Sequence, residues 1–234
     1  EEGITYALGV PTVWLGLLNY LRESGKQITS LKRVGVGGSA CPLSIMEEFE
    51  NTHGAITTAG WGMTEMAPLG TFNALSKARE DYTDEEYARV RVRAGRPIFG
   101  VSMKIVDENG VELPWDGKAY GALKVRGPWV VKEYFKAGES ALDDDGWFDT
   151  GDVAIIDPDG NMAITDRTKD VIKSGGEWIS SIDLENCAVG HPEVAEAAVI
   201  GIAHPKWDER PLLVVVRTPG SSVEGPEIVE FMTG

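Results

Sequence analysis

The chain has 234 residues, of which 42% are hydrophobic, and this is enough to bury a sizeable core in one large or two modest domains. Its net charge of −15 argues against a nucleic-acid partner, because a phosphate backbone must be met by clustered Lys and Arg. No apolar run approaches the roughly 20 residues of a membrane span, and the first residues lack the basic start of a signal peptide, so we expect a cytoplasmic protein. Cys41 and Cys187 suit a reducing compartment and form no metal-binding pattern with the histidines.

Helical and strand patterns alternate at the start of the chain. Apolar residues recur at helical spacing over residues 11–22, and a second helix is predicted over residues 42–50. Residues 31–36 and 56–59 are typical of short buried strands on either side of that second helix. The alternation predicts an α/β layer.

The middle of the chain changes to short strands separated by turns. Residues 98–106 and 121–125 are predicted strands, and residues 107–110 form a turn by composition. A further hairpin is predicted from strands over residues 153–156 and 162–165, joined by a turn at 157–161. This region is therefore expected to be all-β and barrel-like.

Beyond Arg167 the patterns become mixed again. Helices are predicted over residues 182–189 and 225–232, and strands over residues 197–202 and 212–217. We place a domain boundary at residues 167–169, which gives one domain over residues 1–166 and a second over 167–234.

Two opposite charges flank the predicted hairpin. Asp152 is expected at the start of the first strand and Arg167 just past the end of its partner. A carboxylate can accept both hydroxyls of a ribose, and a guanidinium can donate to the same ring or to a phosphate. The pair therefore predicts a nucleotide site, although Arg167 could instead form an ion pair with Asp149 or Asp166.

A glycine-rich turn between the second strand and the second helix has two interpretations. Residues 35–40 fit the G-x-G-x-x-A dinucleotide fingerprint, which would indicate a dehydrogenase. The following strand, however, does not end in the acidic residue that would hold a ribose. Glycines also allow the backbone to approach a flat adenine ring, and a simple tight turn remains a third alternative.

Several short motifs follow one another in order: GGSA at 37–40, AGWGMTE at 59–65, FDTGD at 148–152, DRTKD at 166–170, and KSGG with IDLE at 173–185. Together they resemble the AMP-forming acyl-CoA synthetases of the adenylate-forming superfamily, which also contains luciferases and peptide synthetase adenylation domains. The variants WGMTEMAPLG and KSGGEWISS are most similar to bacterial medium- and long-chain fatty acyl-CoA ligases and methylthioalkanoate-CoA ligases. The resemblance covers essentially the whole chain.

The resemblance implies an architecture for both predicted domains. Residues 1–166 would be the C-terminal part of a large nucleotide- and acyl-binding domain, with an α/β layer and a β-barrel-like subdomain. Residues 167–234 would begin a small, mobile α+β domain. The family's phosphate loop and late lysine are expected outside these residues. We therefore expect these residues to be an internal piece of a longer enzyme, and we expect the piece by itself to be inactive.

The resemblance also implies ATP, Mg²⁺ and coenzyme A as cofactors and a carboxylic acid, of the fatty type, as substrate. Trp61 would stack on adenine where the family usually has tyrosine, Thr64 would donate to a phosphate, and Glu65 would bind Mg²⁺. Lys169 would be the hinge of the small domain, and Thr64, Glu65, Lys169 and Lys173 form the catalytic set. The implied nucleotide-binding residues are Gly38, Ser39, Ala40, Gly60, Trp61, Gly62, Met63, Thr64, Asp152, Ile164 and Arg167. The implied coenzyme A loop consists of Lys173, Ser174, Gly175, Gly176, Glu177 and Trp178.

Three other functions remain open on the sequence. An adenylation domain that loads a carrier protein would share every nucleotide motif. A nicotinamide dehydrogenase would rest on the glycine run alone. A non-catalytic nucleotide-binding module would fit a piece that lacks the phosphate loop. The acid's chain length and the oligomeric state are not readable from these residues.

Overall fold

The computed structural model describes residues 2–75, 78–175 and 177–233. The helices are α1 (Pro11–Ser24), α2 (Leu43–His53), α3 (Asp84–Arg91), α4 (Ser181–Val189) and α5 (Gly225–Thr233). The strands are β1 (Tyr6–Gly9), β2 (Arg33–Val36), β3 (Ile56–Gly62), β4 (Leu69–Phe72), β5 (Arg96–Pro97), β6 (Ser102–Val106), β7 (Gly121–Arg126), β8 (Phe148–Ile156), β9 (Met162–Arg167), β10 (Ile172–Ser174), β11 (Glu177–Ile179), β12 (Val194–His204) and β13 (Asp208–Arg217).

The first sheet has the order β1-β2-β3-β4-β5. β1, β2 and β3 are parallel, whereas β4 and β5 join in antiparallel pairs. α1 and α2 cover one face with a core that includes Leu18, Val34, Met46 and Phe49. Burial of each of these side chains contributes about 1.5–3 kcal/mol, so this layer is held mainly by apolar contact. The predicted α/β layer is confirmed.

The glycines that follow α1 and α2 explain where these helices end. Gly25 and Gly54 adopt φ values of 66° and 62°, in the left-handed region that favours glycine. Pro11 lies at the first position of α1, where its missing N–H costs nothing. α2 begins at Leu43, so Pro42 precedes the helix and does not lie in its first turn.

The second sheet is antiparallel, with the order β6-β7-β8-β9 and with β6 and β9 at its edges. Its core contains Ile105, Leu123, Ile156 and Met162, all fully buried. The predicted strand over residues 98–106 is too long. Val101 N–H donates to the Ile98 carbonyl, and Gly100 has a φ of 93°, so a turn precedes β6.

The third sheet has the order β11-β10-β13-β12; α4 packs on β12 of the long β12–β13 hairpin, and α5 packs on α4. Its core is small and contains Val194, Val223 and Ile228. All strands of this sheet follow Arg167, which fits the predicted change of pattern there. The division into residues 1–166 and 167–234 stays a prediction.

Among the residues that the structure describes, no helix combines the length and the apolar character needed to cross a membrane.

Candidate functional site

Asp152, Arg167 and Trp61 form a connected group where two sheets meet. Asp152 and Arg167 are register partners on β8 and β9, and Arg167 Nη1 lies 2.9 Å from Asp152 Oδ1. Trp61, on β3, donates its indole Nε1–H to Asp152 Oδ2 over 2.9 Å. The guanidinium thus pairs with Asp152 and not with Asp149 or Asp166.

The position of Asp152 differs from the sequence prediction. It lies inside β8, which begins at Phe148, so it does not start the strand. Asp152 is also only 4% exposed. Burial raises the pKa of its carboxyl group above the ordinary value, while the hydrogen bond from Trp61 and the charge of Arg167 act in the opposite direction. Two carboxylate oxygens offer about four lone-pair positions, and two are used here, so the group can still accept ribose hydroxyls.

A cavity of about 270 Å³ lies against this group. Its lining comes from the glycine-rich loop between β2 and α2 and from β3, β8 and β9, so segments far apart in sequence surround one cavity. Thr64 is the one predicted nucleotide-binding residue that does not line it. The predicted residues that do line it are Gly38, Ser39, Ala40, Gly60, Trp61, Gly62, Met63, Asp152, Ile164 and Arg167.

The glycines around Trp61 allow a close approach of backbone and ring. A Cβ atom at Gly70 would lie 2.6 Å from the Trp61 ring, and one at Gly62 would lie 1.8 Å from the Pro68 carbonyl oxygen. Only glycine fits these two positions, so β3 and β4 can hold the indole edge toward Asp152.

Thr64 and Glu65 lie in the short 3₁₀ turn Thr64–Met66 after β3. Thr64 is exposed, and half-buried Glu65 accepts a hydrogen bond from the Tyr134 hydroxyl over 2.9 Å. This contact raises the pKa of Tyr134. Within the described ranges, no group of three or more His, Cys, Asp or Glu side chains could hold a metal ion.

The residues predicted to act from the small domain lie apart from the cavity. Lys169 is exposed in the turn after β9, and Lys173, on β10, places its ammonium group 5.6 Å from the centre of the Trp178 ring. Ser174 is buried on β10, which pairs with β11 and β13, and Gly175 N–H donates to the Trp207 carbonyl, so hydrogen bonds fix the described part of the implied coenzyme A loop. Gly176 and the side chain of Glu177 lie outside the described residues.

Sequence reasoning did not identify every residue of the site. Val92 and Ala94 follow α3, a helix that was not predicted, although its Thr83 and Glu86 form a capping box that signals a helix start. No local sequence pattern indicated that Tyr134 belongs to the site, because its partner Glu65 is distant in sequence. The lining residues that were not predicted are Cys41, Ala59, Val92, Ala94, Ala163, Asp166 and Ile182.

Comparison with known families gives two matches. Residues 1–135 match the AMP-binding enzyme family, and residues 183–233 match the AMP-binding enzyme C-terminal domain. The chain belongs to the AMP-binding enzyme family. The first match includes the glycine run of residues 35–40, which contradicts the dehydrogenase interpretation of that run.

Curated acyl-CoA ligases are similar to this chain along almost its whole length. A 3-methylmercaptopropionyl-CoA ligase from Ruegeria lacuscaerulensis is 52% identical over 99% of this chain, and a medium-chain-fatty-acid–CoA ligase from Ectopseudomonas oleovorans is 49% identical over 99%. A long-chain-fatty-acid–CoA ligase from Thermus thermophilus is 48% identical over 92%. The chain spans 43%, 42% and 40% of these three relatives, respectively.

Two solved structures share the fold of this chain. ATP-bound MatB from Rhodopseudomonas palustris matches with a TM-score of 0.80 and 29% identity, covering 98% of this chain and 44% of that protein. The o-succinylbenzoate CoA synthetase of Bacillus subtilis, in complex with its acyl-adenylate, also matches with a TM-score of 0.80, at 28% identity, covering 99% and 44%. The predicted mixed fold of an adenylate-forming enzyme is confirmed.

Proposed function

We propose that the enzyme containing this chain activates a carboxylic acid with ATP and transfers the acyl group to coenzyme A. In the first step the carboxylate attacks the α-phosphorus of ATP, so that an acyl–phosphate bond forms and pyrophosphate leaves. In the second step the coenzyme A thiol attacks the acyl carbon and AMP leaves. The acyl-CoA ligase names of the similar proteins support both steps.

The observation that carries the proposal is the Asp152–Arg167–Trp61 group on the cavity wall. A buried carboxylate with free lone pairs suits two vicinal hydroxyls, and Arg167 supplies a positive charge beside them. Gly38, Ser39 and Ala40 line the same cavity, where the glycine would allow the backbone to approach the adenine ring. An AMP group is therefore the ligand that these residues suit best.

Magnesium and the phosphates would lie near Thr64 and Glu65. Mg²⁺ usually keeps several waters and takes one or two carboxylates together with substrate phosphates, so a single accessible carboxylate at Glu65 fits such an ion. Magnesium would balance the phosphate charge. Thr64 is exposed and can donate its hydroxyl to a phosphate oxygen.

The acid is proposed to be a fatty or methylthioalkanoic acid, because the relatives that match at about half identity act on such acids by name. Residues 60–62, Met66 and Leu69 are candidate acyl contacts, because the segment that contains them resembles that of fatty acyl-CoA ligases. Met66 is fully buried in the core and Leu69 is 37% exposed. Of this set, Gly60, Trp61 and Gly62 line the cavity.

Lys169 is proposed as the hinge and Lys173 with Gly175 as part of the thiolation site. Lys169→Pro fixes φ and restricts Thr168, so it should spare adenylate formation and depress thioester formation. Lys169→Ala, which leaves the backbone free, is the control. Equal losses in a pyrophosphate-release assay and in a coenzyme A assay would contradict the hinge.

The central experiment is acid-dependent exchange of ATP with pyrophosphate by the intact enzyme. We expect exchange with octanoate or 3-methylthiopropionate, and thioester formation only when free coenzyme A is added. Transfer to a phosphopantetheinyl carrier in place of free coenzyme A would favour the carrier-loading alternative. No exchange with any acid would contradict the proposal and favour a non-catalytic module.

A further inference from the structure

A buried junction joins the end of β9 to the start of α4. Ser181 N–H donates to Asp166 Oδ2 over 2.7 Å, and Ser180 Oγ donates to the Thr165 carbonyl over 2.5 Å. All four residues are at most 8% exposed. The chain leaves this junction at Arg167 and returns to it at Ser180, after the turn with Lys169 and the β10–β11 hairpin.

The side chains of Asp166 and Ser180 make different contacts in this junction. Asp166 uses both oxygens, because Oδ1 also accepts the Arg167 N–H over 2.8 Å. Its negative charge at the N-terminus of α4 is favourable to the helix dipole. Ser180 is the N-cap, since its hydroxyl accepts the Asp183 N–H over 3.0 Å.

This junction determines which side chains face the cavity. Asp166 precedes Arg167, which pairs with Asp152, and Ile182 follows Ser181 in the first turn of α4. Asp166, Arg167 and Ile182 all line the cavity that contains Trp61 and Asp152. Ile182 can line the cavity only while the start of α4 stays in contact with the end of β9.

We propose that Asp166 and Ser180 are positioning residues that hold α4 against β9 and thereby close the nucleotide cavity with Ile182. Neither residue needs to touch the nucleotide for this role. The inference rests on the proposed function for the identity of the ligand. It also implies that any rotation of the small domain at Lys169 must first break these two contacts.

The test uses Asp166→Asn in the intact enzyme, because an amide has one acceptor oxygen where the carboxylate uses two. We expect hydrogen exchange at the Ser181 amide to accelerate about 10- to 100-fold, as for a lost bond to a charged group. AMP should bind about tenfold more weakly at a temperature well below unfolding. The matched control is Asp159→Asn, which removes an exposed carboxylate from the β8–β9 turn and should change neither quantity.

Ser180→Ala is the second variant, and it keeps the proposal testable if Asp166→Asn does not fold. It removes a neutral hydroxyl, so both effects should be smaller, about 2- to 10-fold. Ser102→Ala, at an exposed serine on β6, is its control. A role in stability alone would lower the melting temperature and leave AMP affinity unchanged.

The two proposals fail in different ways. If the unmodified enzyme binds no AMP, the proposed function is overturned. If it binds AMP and the Asp166→Asn and Ser180→Ala variants bind it equally well, the positioning role alone is overturned. Unchanged Ser181 exchange in Asp166→Asn would also overturn it, because the carboxylate would then not hold the helix.

Discussion

At Asp152, burial and pairing act on one carboxyl group in opposite directions. Burial is the largest effect and raises its pKa, while Trp61 and Arg167 stabilise the charged form. Arg167 is half-exposed, so water weakens its charge, and the pair is a weak source of stability. A buried carboxylate with this balance is retained at a cost to the fold, which fits a role in binding.

The Asp152→Asn variant should therefore separate function from stability. Because the pKa of Asp152 is raised, its contribution to stability is present below the ordinary carboxyl pKa and is lost as pH rises through the raised value. Asp152→Asn should lose one of the two bonds that Trp61 and Arg167 make to the carboxylate, since an amide has one acceptor oxygen. It should also lack the pH dependence, so its unfolding free energy relative to that of the unmodified chain should rise as pH rises through that window. Nucleotide affinity should still fall about 10- to 100-fold, through loss of a charge-assisted contact.

Urea unfolding at several pH values and AMP titration would measure both effects. Asp145→Asn, at an exposed position before β8, is the control for the change of charge. Unchanged AMP affinity in a folded Asp152→Asn protein would contradict the assignment of Asp152 to the ribose.

Trp61→Phe tests the indole donor, since phenylalanine keeps an aromatic face but removes the N–H. One oxygen of Asp152 would lose its partner, so the pKa of this carboxyl group should rise further. The loss should be about 1.5–3 kcal/mol of unfolding free energy while Asp152 is charged, and smaller once it is protonated. NMR titration of the Asp152 carboxyl carbon would measure the pKa, and Trp115→Phe, at an exposed indole, is the control.

At the scale of elements, the β10–β11 hairpin is shaped by its contact with the turn before β13. Gly175 has a φ of 63°, and a Cβ atom there would lie 2.8 Å from the Trp207 ring. Lys173 N–H also donates to Glu209 Oε2 over 2.8 Å. The hairpin that carries Lys173 is thus positioned by β13 and not by its own sequence alone.

Gly175→Ala should destabilise the chain for two reasons, backbone strain of about 1 kcal/mol at positive φ and a clash with Trp207. Gly138→Ala is a matched control, because Gly138 has a φ of 74° and a Cβ atom there would meet nothing within 4 Å. The difference between the two unfolding free energies therefore measures the clash. Equal losses would show that Trp207 moves aside freely.

At the scale of the whole molecule, the two cysteines lie in different parts of the fold, one buried and one exposed. Cys41 is 5% exposed in the core beneath the first sheet, and burial raises the pKa of its thiol to about 11. Cys187 is exposed on α4. The thiolate is the reactive form, so the two thiols should differ widely in reactivity near neutral pH.

We expect iodoacetamide to modify Cys187 readily in the native protein and Cys41 only after the first layer opens. The rate at Cys41 should rise with urea in parallel with unfolding, because the opened chain exposes a thiol of ordinary pKa. Peptide mass spectrometry would measure both rates, with Cys187→Ser to isolate Cys41. Rapid modification of Cys41 without denaturant would contradict its burial.

The sequence alone determined the local features of this protein. Strand and helix periodicity placed most of the predicted elements to within a few residues, and the predicted hairpin brought Asp152 and Arg167 to the same end, where the structure pairs them. These features were readable because they depend on residues close in sequence, where turn composition and apolar spacing act directly. The order of the motifs was sufficient to indicate the AMP-binding enzyme family.

The tertiary structure decided which distant side chains meet. Trp61 reaches Asp152 across 91 positions of the chain, and Tyr134 reaches Glu65 across 69. In the sequence Asp166 is recognisable only as part of the DRTKD motif, yet its carboxylate accepts the Ser181 N–H at the start of α4. Such contacts depend on how two sheets and a helix pack together, and no periodicity within either segment encodes the distance between them.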